Sequence, residues 1–251
     1  MDVHVVDPGH IDTVGAELVA GWLRRLPGAT MLAALGTSPL GVYARLAALQ
    51  DSGGLDLAGV RLVQLDEYVG VEDEDPRSLY GWLVRDVAGP FGLDPAGTLR
   101  LKGDAADPVA EAARHDATIA EAGGLDVSVL GLGPNGHLGF NEPPSPASAP
   151  TRVVELAEAS RVSNARYWGS RDGVPERAVT VGMDRLLAAR YTMLVVNGAA
   201  KRTVLRELVT APVTDDLPAT HLRTVSGSVV VLLADTEAWP PDVRVPAAVG
   251  P

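Results

Sequence analysis

The chain has 251 residues, of which 46% are hydrophobic and 21% charged, with no cysteine and a formal net charge of -11. This composition is typical of a globular chain with enough apolar material for a sizeable core, and it excludes intrinsic disorder and low-complexity structure. The absence of cysteine excludes disulfides and thiolate metal sites, and the negative charge argues against binding to nucleic acid or anionic membranes.

Strands and helices are predicted to alternate along the chain. Short runs rich in Val and Leu, without sustained polar alternation, are typical of strands buried on both faces of a parallel sheet. The predicted strands are 3–7, 30–35, 60–66, 125–132, 178–182, 191–197 and 225–234. The predicted helices are 11–26, 39–49, 76–87, 108–122 and 201–209.

This alternation predicts an α/β fold, with a doubly wound, mostly parallel, Rossmann-like sheet that carries helices on both faces. No shift in composition marks a boundary, so we expect a single domain over residues 1–251, with a loosely ordered tail at 239–251. No apolar run is long enough to span a membrane and no signal segment is found, which predicts a cytoplasmic protein.

Ligands of open α/β sheets bind beyond the carboxyl ends of the strands, so the residues that follow each predicted strand are the candidates for chemistry. Gly36, Thr37 and Ser38 follow strand 30–35 and precede a helix. Their backbone N–H groups could bind a phosphate, although an ordinary helix cap explains them equally well. Asp66 ends the next strand and is either a general base or a turn residue.

The stretch from Gly131 to Pro144 carries the most information. It contains G-x-G-x-x-G after a strand, but Pro134 removes one N–H group and no long helix can follow, which excludes a dinucleotide fingerprint. What remains is a glycine loop that presents His137, with Glu142 five residues later. The two side chains could pair for proton transfer, or His137 could have a structural hydrogen bond only.

Lys201 follows strand 191–197 at a predicted helix start. A lysine there opposes the helix dipole, a cost that a bound anion would offset, while the alternative is a solvated side chain. No H-E-x-x-H pair or G-x-S-x-G motif is present, so we expect neither a zinc site of that type nor a serine nucleophile elbow.

Taken together, these segments resemble the glucosamine-6-phosphate deaminase (isomerase) family. The similarity runs over most of the chain, and its most specific parts are residues 65–70, 131–143 and 161–167. The resemblance implies the fold shared by these deaminases and 6-phosphogluconolactonases. It also implies conversion of glucosamine 6-phosphate and water to fructose 6-phosphate and ammonia, without a metal or organic cofactor.

The resemblance also implies roles for single residues. Asp66 matches the base that moves a proton between C2 and C1 of the open-chain sugar, and His137 matches the acid/base that opens the ring. Glu142 matches the carboxylate that orients His137. The phosphate would bind between Arg166 and Lys201, beside the turn formed by Gly36, Thr37 and Ser38.

Three positions depart from the family pattern. Val154 stands where allosterically regulated members carry Lys, so we expect no allosteric activation. Asn135, which we group with the catalytic residues, stands where many members have Asp, so it supplies no charge to His137. Leu35 stands where the phosphate loop usually has Thr, which removes one hydroxyl donor. Three alternatives therefore stay open, namely a 6-phosphogluconolactonase, a galactosamine-6-phosphate deaminase and a non-catalytic phosphosugar-binding module. The resemblance allows either a monomer or a homo-oligomer.

Overall fold

A computed structural model describes residues 1–246. Six strands form one sheet in the order β1-β9-β8-β5-β2-β3, and every neighbouring pair is parallel. These strands are β1 (Asp2–Val6), β2 (Thr30–Ala33), β3 (Arg61–Gln64), β5 (Val127–Gly131), β8 (Tyr191–Val196) and β9 (Val229–Asp235). The predicted parallel sheet is thereby confirmed.

Helices cover both faces of this sheet, because its central strands are apolar on both sides. In β2, Met31 and Ala33 belong to the core beneath α1 and α2, whereas Leu32, with Ala34 just after the strand, belongs to the opposite core beneath α4, α6 and α7. The helices are α1 (Ile11–Leu23), α2 (Leu40–Asp51), α3 (Leu79–Leu83), α4 (Pro108–Glu121), α5 (Glu158–Trp168), α6 (Met183–Leu187) and α7 (Arg202–Thr210). The doubly wound arrangement that the sequence predicts is thus confirmed.

A second, antiparallel sheet of three strands follows the order β4-β7-β6 and comprises β4 (Asp66–Tyr68), β7 (Arg177–Thr180) and β6 (Arg152–Glu155). Two predictions are corrected here. The run at 178–182 does form a strand, but in this small sheet, and the run at 60–66 is divided between β3 and β4. The chain leaves the parallel sheet after Gln64, and Asp66 pairs with Thr180 instead.

His115 is a histidine of the core and not of the surface. Its side chain is fully buried on α4, where Nε2 lies 3.0 Å from the backbone oxygen of Gln64. Burial, opposed by that hydrogen bond, lowers the pKa of His115 to about 4, so the ring is neutral at pH 7.

The start of the predicted tail contacts the rest of the fold. Trp239 is buried and donates from Nε1 to the backbone oxygen of Val243 at 2.8 Å, and Arg206 of α7 pairs with Asp242. Residues 247–251 of that tail lie outside the described residues. Over residues 1–246, no helix combines the length and apolar character that crossing a membrane requires.

Candidate active site

A cavity of about 180 Å³ opens at the carboxyl ends of three neighbouring parallel strands. Gly36, Thr37 and Ser38 reach it from the end of β2, Gly133 from the end of β5, and Lys201 from the turn after β8. Parallel strands bring their carboxyl ends to one edge, which is why segments far apart in sequence meet there. The cavity lies at the sheet edge where ligands were expected.

Asp66 enters the cavity from the small sheet. Its side chain is 8% exposed, and its backbone oxygen accepts a hydrogen bond of 2.9 Å from Nε2 of Gln64. Burial, and then the charge of neighbouring Glu67, raise the pKa of Asp66 to about 8. A carboxyl group in this state is mainly protonated at pH 7, and its ionised form is a stronger base than an exposed aspartate.

The glycine loop brings the His137 side chain to the same cavity. The loop closes through Gly133, whose N–H donates to the backbone oxygen of His137 at 3.0 Å, and it turns at Gly136 with a φ of 78°. The imidazole lies directly on Gly133, because a Cβ added there would stand 2.1 Å from Cδ2 of His137. The glycine therefore makes the room that the ring occupies.

His137 is neutral over the ordinary pH range. Burial, and then the positive charge of Lys201, lower its pKa to about 4. Its buried Nδ1 has no hydrogen-bond partner among the described residues. A neutral imidazole with a free nitrogen can accept a proton from a bound hydroxyl group and return it to another oxygen.

The expected contact between Glu142 and His137 is not formed. Glu142 lies outside the cavity lining, and its Oε2 accepts a hydrogen bond of 2.7 Å from the N–H of Ala157, just before α5. Its Oε1 is buried and has no hydrogen-bond partner within residues 1–246. The loop is held differently from our expectation, because Asn141 donates to the backbone oxygen of Val181 at 2.8 Å and fixes the chain next to Glu142.

Asn135 is likewise absent from the cavity lining, and its buried Oδ1 has no partner among the described residues. No hydrogen bond joins Asn135 to His137 over residues 1–246. Of the predicted site residues, those that share the cavity are Gly36, Thr37, Ser38, Asp66, His137, Arg166 and Lys201.

Two cations, Arg166 and Lys201, also line the cavity, and the charge of Lys201 acts on His137. Burial, and then the charge of Arg166, lower the pKa of Lys201, whose Nζ donates to the backbone oxygen of Leu132 at 2.6 Å. The guanidinium of Arg166 lies 4.5 Å from the ring centroid of Tyr167. Within residues 1–246 no carboxylate pairs with either cation, so their charges are available to an anion.

The turn after β2 lies beside these cations. Gly36 has a φ of 141°, a conformation that residues with a side chain rarely adopt. Ser38 donates from Oγ to Oδ1 of Asn197 at 2.6 Å, which ties the turn to the end of β8. Leu35 also lines the cavity, so the departure noted in the sequence lies at the site itself.

One wall of the cavity was not predicted. It is aromatic: Trp82 of α3 contacts Tyr167 of α5 edge-on with ring centroids 4.8 Å apart, and Tyr68 contacts Trp168 at 5.1 Å. Arg77 covers Trp168 at 4.4 Å from the ring centroid. Ser163 and Asn164 of α5 belong to a segment quoted for the family resemblance, but no pattern in the sequence points to Trp82.

Comparison with known proteins agrees with this geometry. The family model described as glucosamine-6-phosphate isomerases/6-phosphogluconolactonase matches residues 24–231. A glucosamine-6-phosphate deaminase of Streptomyces coelicolor is 39% identical over 218 residues, which cover 86% of this chain and 84% of that protein. The same enzyme of Rhodococcus opacus is 38% identical over 86% of this chain and 83% of its own.

Solved structures resemble the fold. A monomeric glucosamine-6-phosphate deaminase superposes with a TM-score of 0.90 at 32% identity, covering 95% of this chain and 98% of its own. The 6-phosphogluconolactonase of Thermotoga maritima shares the fold alone, with a TM-score of 0.73 at 17% identity over 94% of this chain and 99% of its own. The resemblance inferred from the motifs is confirmed, and the chain belongs to the family of glucosamine-6-phosphate isomerases and 6-phosphogluconolactonases.

Proposed function

We propose that this protein is a glucosamine-6-phosphate deaminase, which converts glucosamine 6-phosphate and water to fructose 6-phosphate and ammonia. The observation that carries the proposal is one cavity that holds Asp66 and His137, with shifted pKa values, together with Arg166 and Lys201, which have no carboxylate partner within residues 1–246. The relatives at 38–39% identity that carry this enzyme's name support it.

The phosphate would bind to Arg166 and Lys201. A guanidinium offers two parallel donors to a phosphate, while an ammonium adds a point charge. Thr37 and Ser38 of the turn line the same cavity, and their N–H groups would add donors without charge. Binding the phosphate, a part of the substrate that does not react, would position C1 and C2 at the other end.

His137 would open the sugar ring. In its neutral form the imidazole can take the proton of the C1 hydroxyl group and deliver a proton to the ring oxygen, which leaves an aldehyde at C1. Glu142 is retained in our proposal as the carboxylate that orients His137. Its free Oε1 and the free Nδ1 of the imidazole support this, provided that one side chain turns when the substrate binds.

Asp66 would then remove the C2 proton, which is acidic because C1 is a carbonyl. The electron pair of the broken C–H bond forms the C1–C2 double bond, and the C1 oxygen gains a proton. Return of the proton from Asp66 to C1 leaves an imine at C2, and addition of water to this imine releases ammonia. Asp66 carries out both transfers, so its carboxylate must reach both carbons. Asn135 is kept as a residue that supports the loop without supplying charge.

A coupled assay tests the proposal. Ammonia and ketose phosphate release would be measured with glucosamine 6-phosphate and galactosamine 6-phosphate, and acid release with 6-phosphogluconolactone, using wild-type protein and Asp66→Asn as the control. We expect turnover of glucosamine 6-phosphate that the substitution abolishes. Turnover of only the galactosamine ester or the lactone would replace the proposal, and phosphosugar binding without any turnover would favour a binding module.

We also propose that the chain acts as one domain in the cytoplasm. Asp66 comes from the small sheet, whereas Gly36, Gly133 and Lys201 follow strands of the parallel sheet, so neither sheet makes the site alone. A chain without cysteine suits a reducing compartment.

A further inference from the structure

Glu67 is a buried carboxylate next to the proposed base, and the reaction described above does not use it. Asp66 and Tyr68, its neighbours in β4, line the cavity, whereas Glu67 does not, as the alternation of side chains along a strand requires. Its side chain is 1% exposed. An acidic group at this depth needs partners, because burying an unpaired charge is costly.

The partners are unusually numerous. The two carboxylate oxygens of Glu67 accept hydrogen bonds from a side-chain amide, a hydroxyl group and three backbone N–H groups. These donors are Gln64 Nε2 at 3.0 Å, Ser78 Oγ at 3.0 Å, Tyr68 N at 2.9 Å, Leu79 N at 3.1 Å and Tyr80 N at 2.8 Å. Burial raises the pKa of Glu67, and these donors act in the opposite direction.

The donors come from two segments that border the cavity, one around β4 and one at the beginning of α3. Gln64 uses the same Nε2 to bond the backbone oxygen of Asp66 at 2.9 Å, which connects Glu67 to the backbone of the proposed base. Leu79 begins α3, whose Trp82 stands in the aromatic wall. Glu67 is therefore the group through which β4 and the beginning of α3 are held together.

We propose that Glu67 is a positioning residue, which holds the Asp66 carboxylate and the Leu79–Trp82 wall in one fixed relation from behind β4. The inference rests on the proposed role of Asp66. It goes further because it assigns the accurate placement of the Asp66 carboxylate to a side chain that does not contact the sugar. A displacement of about 1 Å at a reacting group lowers turnover by about 10²-fold, so such a tether matters for the rate.

The charge of Glu67 predicts an effect on the pH profile that a purely structural role would not produce. It is the charged neighbour that raises the pKa of Asp66, in addition to burial. The other ionisable side chains that line the cavity are Tyr68, Arg77, His137, Arg166, Tyr167 and Lys201. Replacing Glu67 by Gln removes the charge, so the pKa of Asp66 should fall and the acidic limb of kcat/KM should move to lower pH.

Glu67→Gln would be compared with Glu111→Gln as the matched control. Glu111 is also buried, accepts a hydrogen bond of 2.8 Å from the N–H of Lys102 and pairs with Arg114 at 2.6 Å, but it does not line the cavity. Thermal unfolding, kcat, KM and the pH profile would be measured. We expect both variants to lose stability. Only Glu67→Gln should lower kcat, by about 10²-fold, with KM little changed and the acidic limb displaced downward.

Wild-type kcat and an unmoved acidic limb in folded Glu67→Gln would overturn the inference. Should that variant not fold, Ser78→Ala removes one donor to Glu67, and several-fold lower kcat at unchanged KM is expected, whereas wild-type kcat would again overturn it. A carboxyl ¹³C titration of Asp66 in the wild type and in either folded variant separates the two proposals. An inactive wild type refutes the proposed function, and an Asp66 pKa that Glu67→Gln leaves unchanged refutes the role of Glu67.

Discussion

Two groups of side chains in the cavity differ in charge: Asp66 and His137, here called the reaction end, and Arg166 and Lys201, here called the binding end. At the reaction end, Asp66 is buried and His137 has lost most of its contact with water, and burial moves their pKa values to about 8 and about 4. At the binding end, Arg166 is exposed and lies against an aromatic ring, whereas Lys201 is half-buried and donates to a backbone oxygen. Burial shifts the pKa values of the two groups that would transfer protons, whereas the two cations are accessible enough for an anion to reach them. Substitutions at the two ends should therefore separate kcat from KM.

Asp66→Asn should have the largest effect. It keeps the shape of the side chain but removes the base, so turnover should fall by about 10³-fold or more while phosphosugar binding is retained. Steady-state kinetics and calorimetric titration with a non-reacting phosphosugar measure the two quantities. Retained turnover would show that the reaction end has been assigned to the wrong carboxyl group.

Gly133→Ala should damage the reaction end without touching a charged group. The new Cβ would occupy the space of the imidazole, so His137 must move and kcat should fall by about 10²-fold. Gly21→Ala on α1 is the control, since a Cβ there meets nothing within 4 Å. A crystal structure of the variant with an unmoved ring, together with normal turnover, would contradict this reasoning.

Lys201→Ala tests the binding end. Loss of a charge-assisted hydrogen bond should raise KM and the dissociation constant for phosphosugars by about 10–100-fold, with a smaller change in kcat. Non-phosphorylated glucosamine should show no such dependence on Lys201. If kcat fell and binding were normal, the distinction between the two ends would be wrong.

Glu142→Gln should have a smaller effect, because Glu142 contacts Ala157 and not His137 in this structure. We expect about tenfold lower kcat, which reflects the lost charge if Glu142 turns toward the imidazole during the reaction. Kinetics on glucosamine 6-phosphate decide the matter. Wild-type kcat would remove Glu142 from the reaction and leave it as an anchor for the start of α5.

The pH dependence should follow Asp66. Because its pKa is raised to about 8, the active ionised form grows as pH rises, and kcat/KM should increase about tenfold from pH 7 to pH 9. His137, with a pKa of about 4, stays neutral over this range and adds no step. A profile that is flat above pH 6 would mean that Asp66 has an ordinary acidity in the free enzyme.

The sequence predicts the parallel sheet well because its strands are continuous apolar runs with clear boundaries. It does not predict α5, because Ser160 is the only buried residue of that helix, and a helix that covers a polar cavity has no apolar stripe to detect. Nor does it assign β7 to the small sheet, since apolar runs carry no information about which partner a strand finds.

The same contrast holds for the site. Its members from strand ends are found because topology collects those ends, whereas Glu142 is expected beside His137 from its proximity along the loop and from the family resemblance. Proximity along a loop does not determine direction, and the hydrogen bonds of Asn141 and Ala157 take Glu142 elsewhere. The sequence does not point to Glu67, because its role depends on donors between Ser78 and Tyr80 that approach its carboxylate only in the folded chain.

Asp66 belongs to the small sheet, while Lys201 follows a strand of the large one. The distance between Asp66 and Lys201 is thus set by the relative position of the two sheets, and this distance would select the length of the sugar. An aminopentose phosphate, one carbon shorter, should be held by its phosphate yet leave its second carbon short of the carboxylate. The length of the sugar would then be selected through kcat and not through binding.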